Sequence, residues 1–183
     1  MPRITPIDPT QAEGKAKVLL DGIQKSLGMT PNLMRSLAQS PAALQAYLDF
    51  NKALDGASLN AKTREAIALT VAGENGCDYC ASAHTAVGGL LGAERAELAA
   101  NLDGRSNDPR VAAVLAFARA VVVKRGWVSD EDLDAARAAG LGDREITEIV
   151  AGVAVNMFTN YFNHVAGTEV DFPLVRTGQK AAA

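Results

Sequence analysis

The run Gly73-Glu74-Asn75-Gly76 interrupts what would otherwise be one long apolar helical pattern, and the interruption decides how the chain around it can fold. Glycine and asparagine at this density end a helix. Upstream, Asn60 is a plausible cap for a helix that carries Glu65, with Ile67, Leu69 and Val71 among its apolar residues. Downstream come Cys77-Asp78-Tyr79-Cys80 and His84, which hold both cysteines and one of the two histidines of the chain. A new helix starting near Cys77 puts both thiols in its first turn, where free N–H groups and the helix dipole favour a thiolate. His84 lies four residues after Cys80 and so shares its helix face. An imidazole there can take a thiol proton and make the sulfur a nucleophile. On one straight helix Glu65 would stand about 18 Å from Cys77. A reversal near Asn75 instead brings Glu65 level with His84, where a carboxylate fixes the tautomer of the ring and raises its basicity. The spacing therefore predicts an antiparallel helical hairpin with a relay Glu65, His84, Cys80, bridged by a water if needed.

The rest of the chain reads as helix as well. Residues 1–11 form an extended, Pro-rich arm. A helix over Ala12 to Leu27 turns Val18, Leu19, Ile23 and Leu27 to one face and stops at Gly28. Thr30-Pro31 starts a short helix with Leu33, Met34 and Leu37. Ser40-Pro41 starts another that runs to Leu54. The dithiol helix is expected from Cys77 to Val87, ended by Gly88-Gly89, followed by a helix over 93–102 and a polar, mobile loop over 103–107. Asp108-Pro109, Ser129 with Asp132, and Asp143 mark the last three helix starts. Residues 171–183 are a tail. No segment alternates with period two, and aromatic residues are only 5%, so the expectation is an all-α bundle in a single domain over 1–183. Arg64-Glu65 stands to His84 as Arg144-Glu145 stands to His164, which a duplicated hairpin and a chance likeness explain equally well.

Composition excludes several function classes. Net charge is −3 without a basic run, which gives no footprint for nucleic acid or an anionic membrane. No apolar run reaches membrane-spanning length, and MPRITPID has no signal-peptide pattern, so a cytoplasmic protein is expected. Two cysteines three positions apart in such a chain serve redox or metal chemistry rather than a structural staple. A zinc site would draw on Cys77, Cys80, His84 and His164. The tight Cys80–His84 spacing disfavours that site, and no metal or other cofactor is expected. Tyr79 either contacts the dithiol or packs as a core aromatic. His164 joins Asn160 and Asn163 in a polar cluster, which suits a structural or interface role better than a pocket wall.

The pattern E-x11-C-x-x-C-x-x-x-H resembles the signature of the AhpD-like (alkyl hydroperoxidase D) branch of the carboxymuconolactone decarboxylase family. Pro31-Asn32-Leu33, Ser40-Pro41-Ala42, Arg64-Glu65 and Asn160-Tyr161-Phe162-Asn163-His164 are similar to members of that family too, so the resemblance covers most of the chain. It implies an AhpD-like helical bundle with the C-x-x-C at the N-terminus of a core helix. It implies Cys80 as the peroxidatic thiol, Cys77 as the resolving one, and Glu65 and His84 as proton relay. The best-known members carry a second relay histidine immediately before the second cysteine. Tyr79 stands there in this chain, so the proton route differs.

The resemblance further implies a thiol-dependent peroxidase that reduces alkyl hydroperoxides. An external dithiol, lipoyl-bearing or thioredoxin-like, would restore the thiols, and the assembly would be a homo-oligomer, trimer or hexamer. Two other activities use the same family frame: lactone decarboxylation, which needs acid–base groups and no dithiol, and general thiol–disulfide exchange. A non-enzymatic zinc module is the reading outside catalysis.

Overall fold

The computed structural model describes residues 1–178, and among them it has nine α-helices and no strand. They are α1 (Gly14–Leu27), α2 (Asn32–Leu37), α3 (Pro41–Leu54), α4 (Ala61–Asn75), α5 (Asp78–Leu90), α6 (Arg95–Leu102), α7 (Pro109–Val123), α8 (Asp130–Ala138) and α9 (Asp143–Ala166). The all-α expectation holds.

Helix α4 is the axis of the molecule. Every residue from Ala66 to Gly73 is buried, and α5, α6, α7 and α9 all pack on it. A helix covered on every side must be apolar all round, with small residues where neighbours come close. Gly73 meets that second demand: a Cβ there would lie 1.9 Å from the Leu102 carbonyl oxygen. Gly73 is therefore inside the helix, and Gly76 alone ends it. Gly76 takes a left-handed conformation (φ +66°), and the Cys77 N–H returns to the Ala72 carbonyl at 2.9 Å. The chain reverses at that point, as the glycine spacing predicts.

The caps read from sequence form as expected. Ser40 Oγ accepts from Ala43 N–H at 3.3 Å, Asn60 Oδ1 from Thr63 N–H at 3.0 Å, and Asp108 from Arg110 and Val111. Ser129 and Asp132 make a reciprocal capping box.

Other expectations need correction. Helix α5 runs through Gly88-Gly89 to Leu90, because Gly88 is a packing residue: its Cβ would meet Leu98 Cδ2 at 2.5 Å. Asp143 is the first residue of α9 rather than its cap. Gly142 takes the cap position, and the Glu145 carboxylate accepts its N–H at 3.1 Å. Helix α1 buries Ala16, Leu20 and Ile23, while Val18 (70% exposed) and Leu27 (57%) face outward. The small Ala16 lets α1 lie closer than a face of large residues would. The loop over 103–107 is tied down, with Ser106 Oγ and Asn107 N–H both donating to the Glu97 carboxylate. The second segment does not repeat the hairpin: Glu145 and His164 lie on one helix, whereas Glu65 and His84 face each other across two.

Both terminal segments are docked within the described residues. In the N-terminal arm, Arg3 N–H donates to Ala166 O at 2.6 Å and Ile7 N–H to Arg35 O at 3.0 Å. In the tail, Asp171 accepts from Asn32 N–H at 2.7 Å, and Thr177 donates to Asp78 through both N–H and hydroxyl. The last part of the predicted tail, 179–183, lies outside the described residues.

Candidate active site

The turn after α4 delivers the chemistry. Cys77 is the N-cap of α5, in extended conformation, and its sulfur accepts the Cys80 N–H at 3.4 Å. The two sulfurs are hydrogen-bonded at 2.8 Å, as free thiols, and both residues are buried. One turn and a little further along α5, His84 Nδ1 meets Glu65 Oε2 of α4 at 2.8 Å. The hairpin thus brings Glu65 to His84 and leaves Cys77 against Cys80; the His84 charge acts on Cys77.

The electrostatics of the pair are shared. The hydrogen bond from the Cys80 thiol holds Cys77 below the ordinary thiol range; burial opposes this, and the Cys80 N–H and the His84 charge reinforce it. The same bond, together with burial, pushes Cys80 well up, while Asn163 and Thr159 of α9 act the other way. In the resting monoanion the charge therefore sits mainly on Cys77, and the proton belongs to the pair. Burial alone would lower the His84 pKa, but the charge and hydrogen bond of the Glu65 carboxylate, with Cys77 and Asn156, together outweigh burial and raise it. The side chains of His84 and Glu65 remain 23% and 20% exposed, so protons can reach this pair from outside.

That exposure opens into a cavity of about 410 Å³. Leu48, Leu54, Leu59, Ile67 and Val155 give it apolar walls; Asn51, Arg64 and Asn156 give it polar ones; Glu65 and His84 lie on its boundary. The cysteines do not line it. They sit behind the Glu65–His84 pair in the apolar cluster formed by α1, α2, α3 and α5.

Tyr79, Asn160 and His164 also lie off the cavity wall. The Tyr79 hydroxyl accepts Leu33 N–H at 3.0 Å, and its ring meets Phe172 edge-on at 5.9 Å, so it anchors α2 and the tail as a core aromatic. Asn160 is fully buried and accepts from Asn75 Nδ2 at 3.1 Å, joining α9 to the end of α4. His164 is exposed in the last turn of α9. It is also removed from the dithiol: among the described residues no three His, Cys, Asp or Glu side chains gather as metal ligands, so the four-ligand zinc set is not assembled.

The roles of three residues escaped the sequence reading, which places Asn163 in a structural or interface cluster with Asn160 and His164. Asn156 favours the charged His84 ring, and Asn163 Nδ2 donates to Cys80 Sγ at 3.3 Å. Tyr47 packs against the dithiol cluster; burial, then Cys80 and Glu65, push its phenol up to about 12. The signal for the first two was present as Asn156, Asn160 and Asn163, asparagines at one-turn intervals on an apolar helix.

Residues 41–122, which include Glu65, Cys77, Cys80 and His84, match the model of the carboxymuconolactone decarboxylase family. The match covers less than half of the chain, which is similar to that family over this segment. No curated protein sequence matches it. Among solved structures, the alkylhydroperoxidase AhpD core protein of Ralstonia eutropha JMP134, described as an uncharacterized peroxidase-related protein, superposes with a TM-score of 0.84 at 23% identity, over 93% of this chain and 92% of that one. An uncharacterized peroxidase-related protein from Silicibacter sp. TM1040 gives 0.79 at 23% identity, over 91% and 92%. The debrominase Bmp8, solved as a cysteine-to-alanine variant in complex with 2,3,4-tribromopyrrole, gives 0.77 at 21% identity, over 92% and 91%. At these identities the likeness establishes the AhpD-like fold. Among the described residues no helix is long and apolar enough to cross a membrane.

Proposed function

We propose that this chain is a member of the carboxymuconolactone decarboxylase family and a thiol-dependent peroxidase that reduces alkyl hydroperoxides through a Cys77–Cys80 redox disulfide. The observation that carries the reading is the 2.8 Å Glu65–His84 pair, whose histidine shares a helix with a buried dithiol of hydrogen-bonded sulfurs. The resemblance to the AhpD-like branch gives Cys80 the attacking role and Cys77 the resolving one, and the shared helix face of Cys80 and His84 is compatible with it. The Cys80 thiolate attacks the hydroperoxide O–O bond; the bond breaks, the sulfur becomes a sulfenic acid, and the alkoxide leaves as an alcohol with a proton from the relay. Cys77 then attacks the Cys80 sulfur, a disulfide forms, and water departs. An external dithiol reduces the disulfide by two exchange steps and is itself oxidised to a disulfide. Every step uses this chain's own residues and the two substrates.

The physiological setting follows the same reading: a cytoplasmic protein, reduced by a lipoyl-bearing or thioredoxin-like partner and assembled as a trimer or hexamer. Val150, Phe158, Tyr161 and Val165 form an exposed apolar stripe on α9, which supports self-assembly. A second reading, general thiol–disulfide exchange, is favoured by the Cys77 N-cap position, which suits a thiolate whatever the oxidant.

Free thiols are counted in the reduced protein before and after one equivalent of cumene hydroperoxide, with Cys80→Ser alongside. Rapid loss of both thiols, absent in the variant, is expected. Thiols that persist overturn the peroxidase. Oxidised lipoamide and a bromopyrrole, the ligand class of the debrominase neighbour, are run in parallel. Faster thiol loss with either one reassigns the substrate. Decarboxylation of a carboxylated lactone by the Cys77→Ser, Cys80→Ser double variant reassigns the reaction class.

A further inference from the structure

The wall of α9 facing the dithiol holds an amide that the relay does not use. Asn163 is 4% exposed, its Nδ2 donates to Cys80 Sγ at 3.3 Å, and its Oδ1 has no partner among the described residues. A buried amide with half its capacity unmet costs stability, so packing gives no reason for it. Its neighbours on the helix are also turned inward: Thr159 and Asn160 are buried, and Asn160 serves the α4 end instead.

Consider the monoanion of the pair. The sulfurs are in contact at 2.8 Å, so the remaining proton can reside on either one. With the charge on Cys77, the Cys80 N–H and the N-terminus of α5 hold it. That support is backbone and is present whatever the side chains are. With the charge on Cys80, the support comes from side chains of α9: the Asn163 amide first, and behind it the Thr159 hydroxyl once it turns from the Asn156 carbonyl. Asn163 lies near both sulfurs and favours both anions, but it is the smallest contributor at Cys77, which keeps its backbone donor without it.

We infer that Asn163 selects which sulfur is the nucleophile: its amide holds the Cys80 thiolate and so makes Cys80 available to attack. The step is a proton shift along the sulfur–sulfur contact. The proton leaves Cys80 Sγ for Cys77 Sγ, the electron pair stays on Cys80, and no oxidant or reductant takes part. The inference deepens the dithiol peroxidase reading and rests on its site, but its test needs no peroxide. Asn163 lies outside residues 41–122, although its segment, Asn160 to His164, is among those that resemble the family.

Substoichiometric iodoacetamide is added to the reduced protein, and the Cys77 to Cys80 adduct ratio is read by peptide mass spectrometry. Hydrogen bonds to charged groups predict that Asn163→Leu moves the ratio toward Cys77 by roughly tenfold. Asn163→Asp, which keeps the shape and loses the donor, moves it the same way at neutral pH. A ratio unchanged within about twofold in both variants, less than even a weak hydrogen bond is worth, overturns the inference. The single-thiol proteins give a second readout, by titrating thiolate absorbance. In Cys77→Ser, Cys80 is expected to ionise at or below the ordinary thiol range despite its burial; ionisation well above that range overturns the inference without any change at Asn163. On adding Asn163→Asp, Cys80 in Cys77→Ser must shift more than Cys77 in Cys80→Ser. Equal shifts signal a merely structural residue and overturn the inference too. A wild-type protein that ignores hydroperoxides but passes these tests refutes the peroxidase and keeps the nucleophile selector; the converse result does the opposite.

Discussion

Glu65 Oε2 sits 2.8 Å from His84 Nδ1, nineteen positions further along the chain, and the Gly76 turn between them is what makes the contact possible. The carboxylate fixes the proton on Nδ1, leaving Nε2 as the basic nitrogen, and raises the pKa of the ring. A raised pKa means that the ring is a free base only above its raised value. Peroxide-driven thiol loss should therefore climb with pH through a limb above the ordinary histidine value near 6.5. Glu65→Gln keeps the shape and removes the charge. It should move that limb to lower pH and cut the plateau rate about 10- to 100-fold, as loss of an orienting partner does. The pH profile of thiol loss in both proteins checks this; an unmoved limb would assign the ionisation to another group.

The same pair makes a linkage prediction. Because the folded pKa of His84 is raised, protonation adds stability that is complete below the unfolded value near 6.5 and is lost as pH rises through the folded value. Wild type should lose more stability than Glu65→Gln across that window. Urea midpoints on either side of it give the comparison, and parallel curves would contradict it.

Much of this site was legible in the residues. The hairpin was readable because Gly76 is the one left-handed position between two helical patterns, and the spacing from Cys80 to His84 needed only the period of a helix. What escaped was tertiary. Gly73 and Gly88 look like breakers in a string, yet one makes room for the Leu102 carbonyl and the other for the Leu98 side chain, neighbours that sequence spacing does not name. The phase of α1 was misjudged because Val18 and Leu27 are more apolar than Ala16, while close helix packing selects the small residue. Asn163 and Asn156 act on residues far away along the chain, so no local pattern ties them to the thiols or to His84.

The two hairpin glycines should respond to alanine for different reasons. Alanine normally favours a helix over glycine by about 0.5–1 kcal/mol. At Gly73 the new Cβ would fall 1.9 Å from a backbone oxygen that cannot swing aside, and overpacking of about 1–3 kcal/mol wins. At Gly76 there is space, and the cost is the left-handed backbone, about 1–2 kcal/mol. Both variants should unfold at lower urea. A stabilised Gly73→Ala would mean that α4 and the α6 end are not held at this separation.

Glu148 anchors the loop that leads into α4. Burial alone would raise its pKa, but bonds from the Ser58 hydroxyl and N–H, from Arg144 and from Leu59 N–H take it down to about 2. A depressed pKa contributes stability above the unfolded value near 4.5 and loses it as pH falls toward 2. Glu148→Gln should be less stable at neutral pH by about 2 kcal/mol, the scale of charged hydrogen bonds. The gap should close between pH 4.5 and 2. Denaturant titrations at neutral pH and midway through that window test this.

The tail covers the other side of the dithiol helix, and Asp78 is its main fastening. Its carboxylate accepts from Thr177 N–H at 2.8 Å and Thr177 Oγ1 at 2.7 Å and pairs with Arg176, while Ser82 Oγ takes Val175 N–H at 2.9 Å. Phe172 and Val175 then pack against the cluster that contains both cysteines. A bulky disulfide reagent can reach the buried sulfurs only when some part of this cover opens, and opening is cheapest where the bonds are partly exposed. Asp78→Ala removes these Thr177 and Arg176 contacts and a favourable charge in the first turn of α5, so about 1–2 kcal/mol of local stability should go. The rate of reaction with an aromatic disulfide reagent should rise about tenfold, since that energy is the difference between closed and open states. Iodoacetamide, which is small, should gain less. Equal gains for both reagents would show that the thiols are reached from the Glu65–His84 side, and the tail would then be a packing element alone.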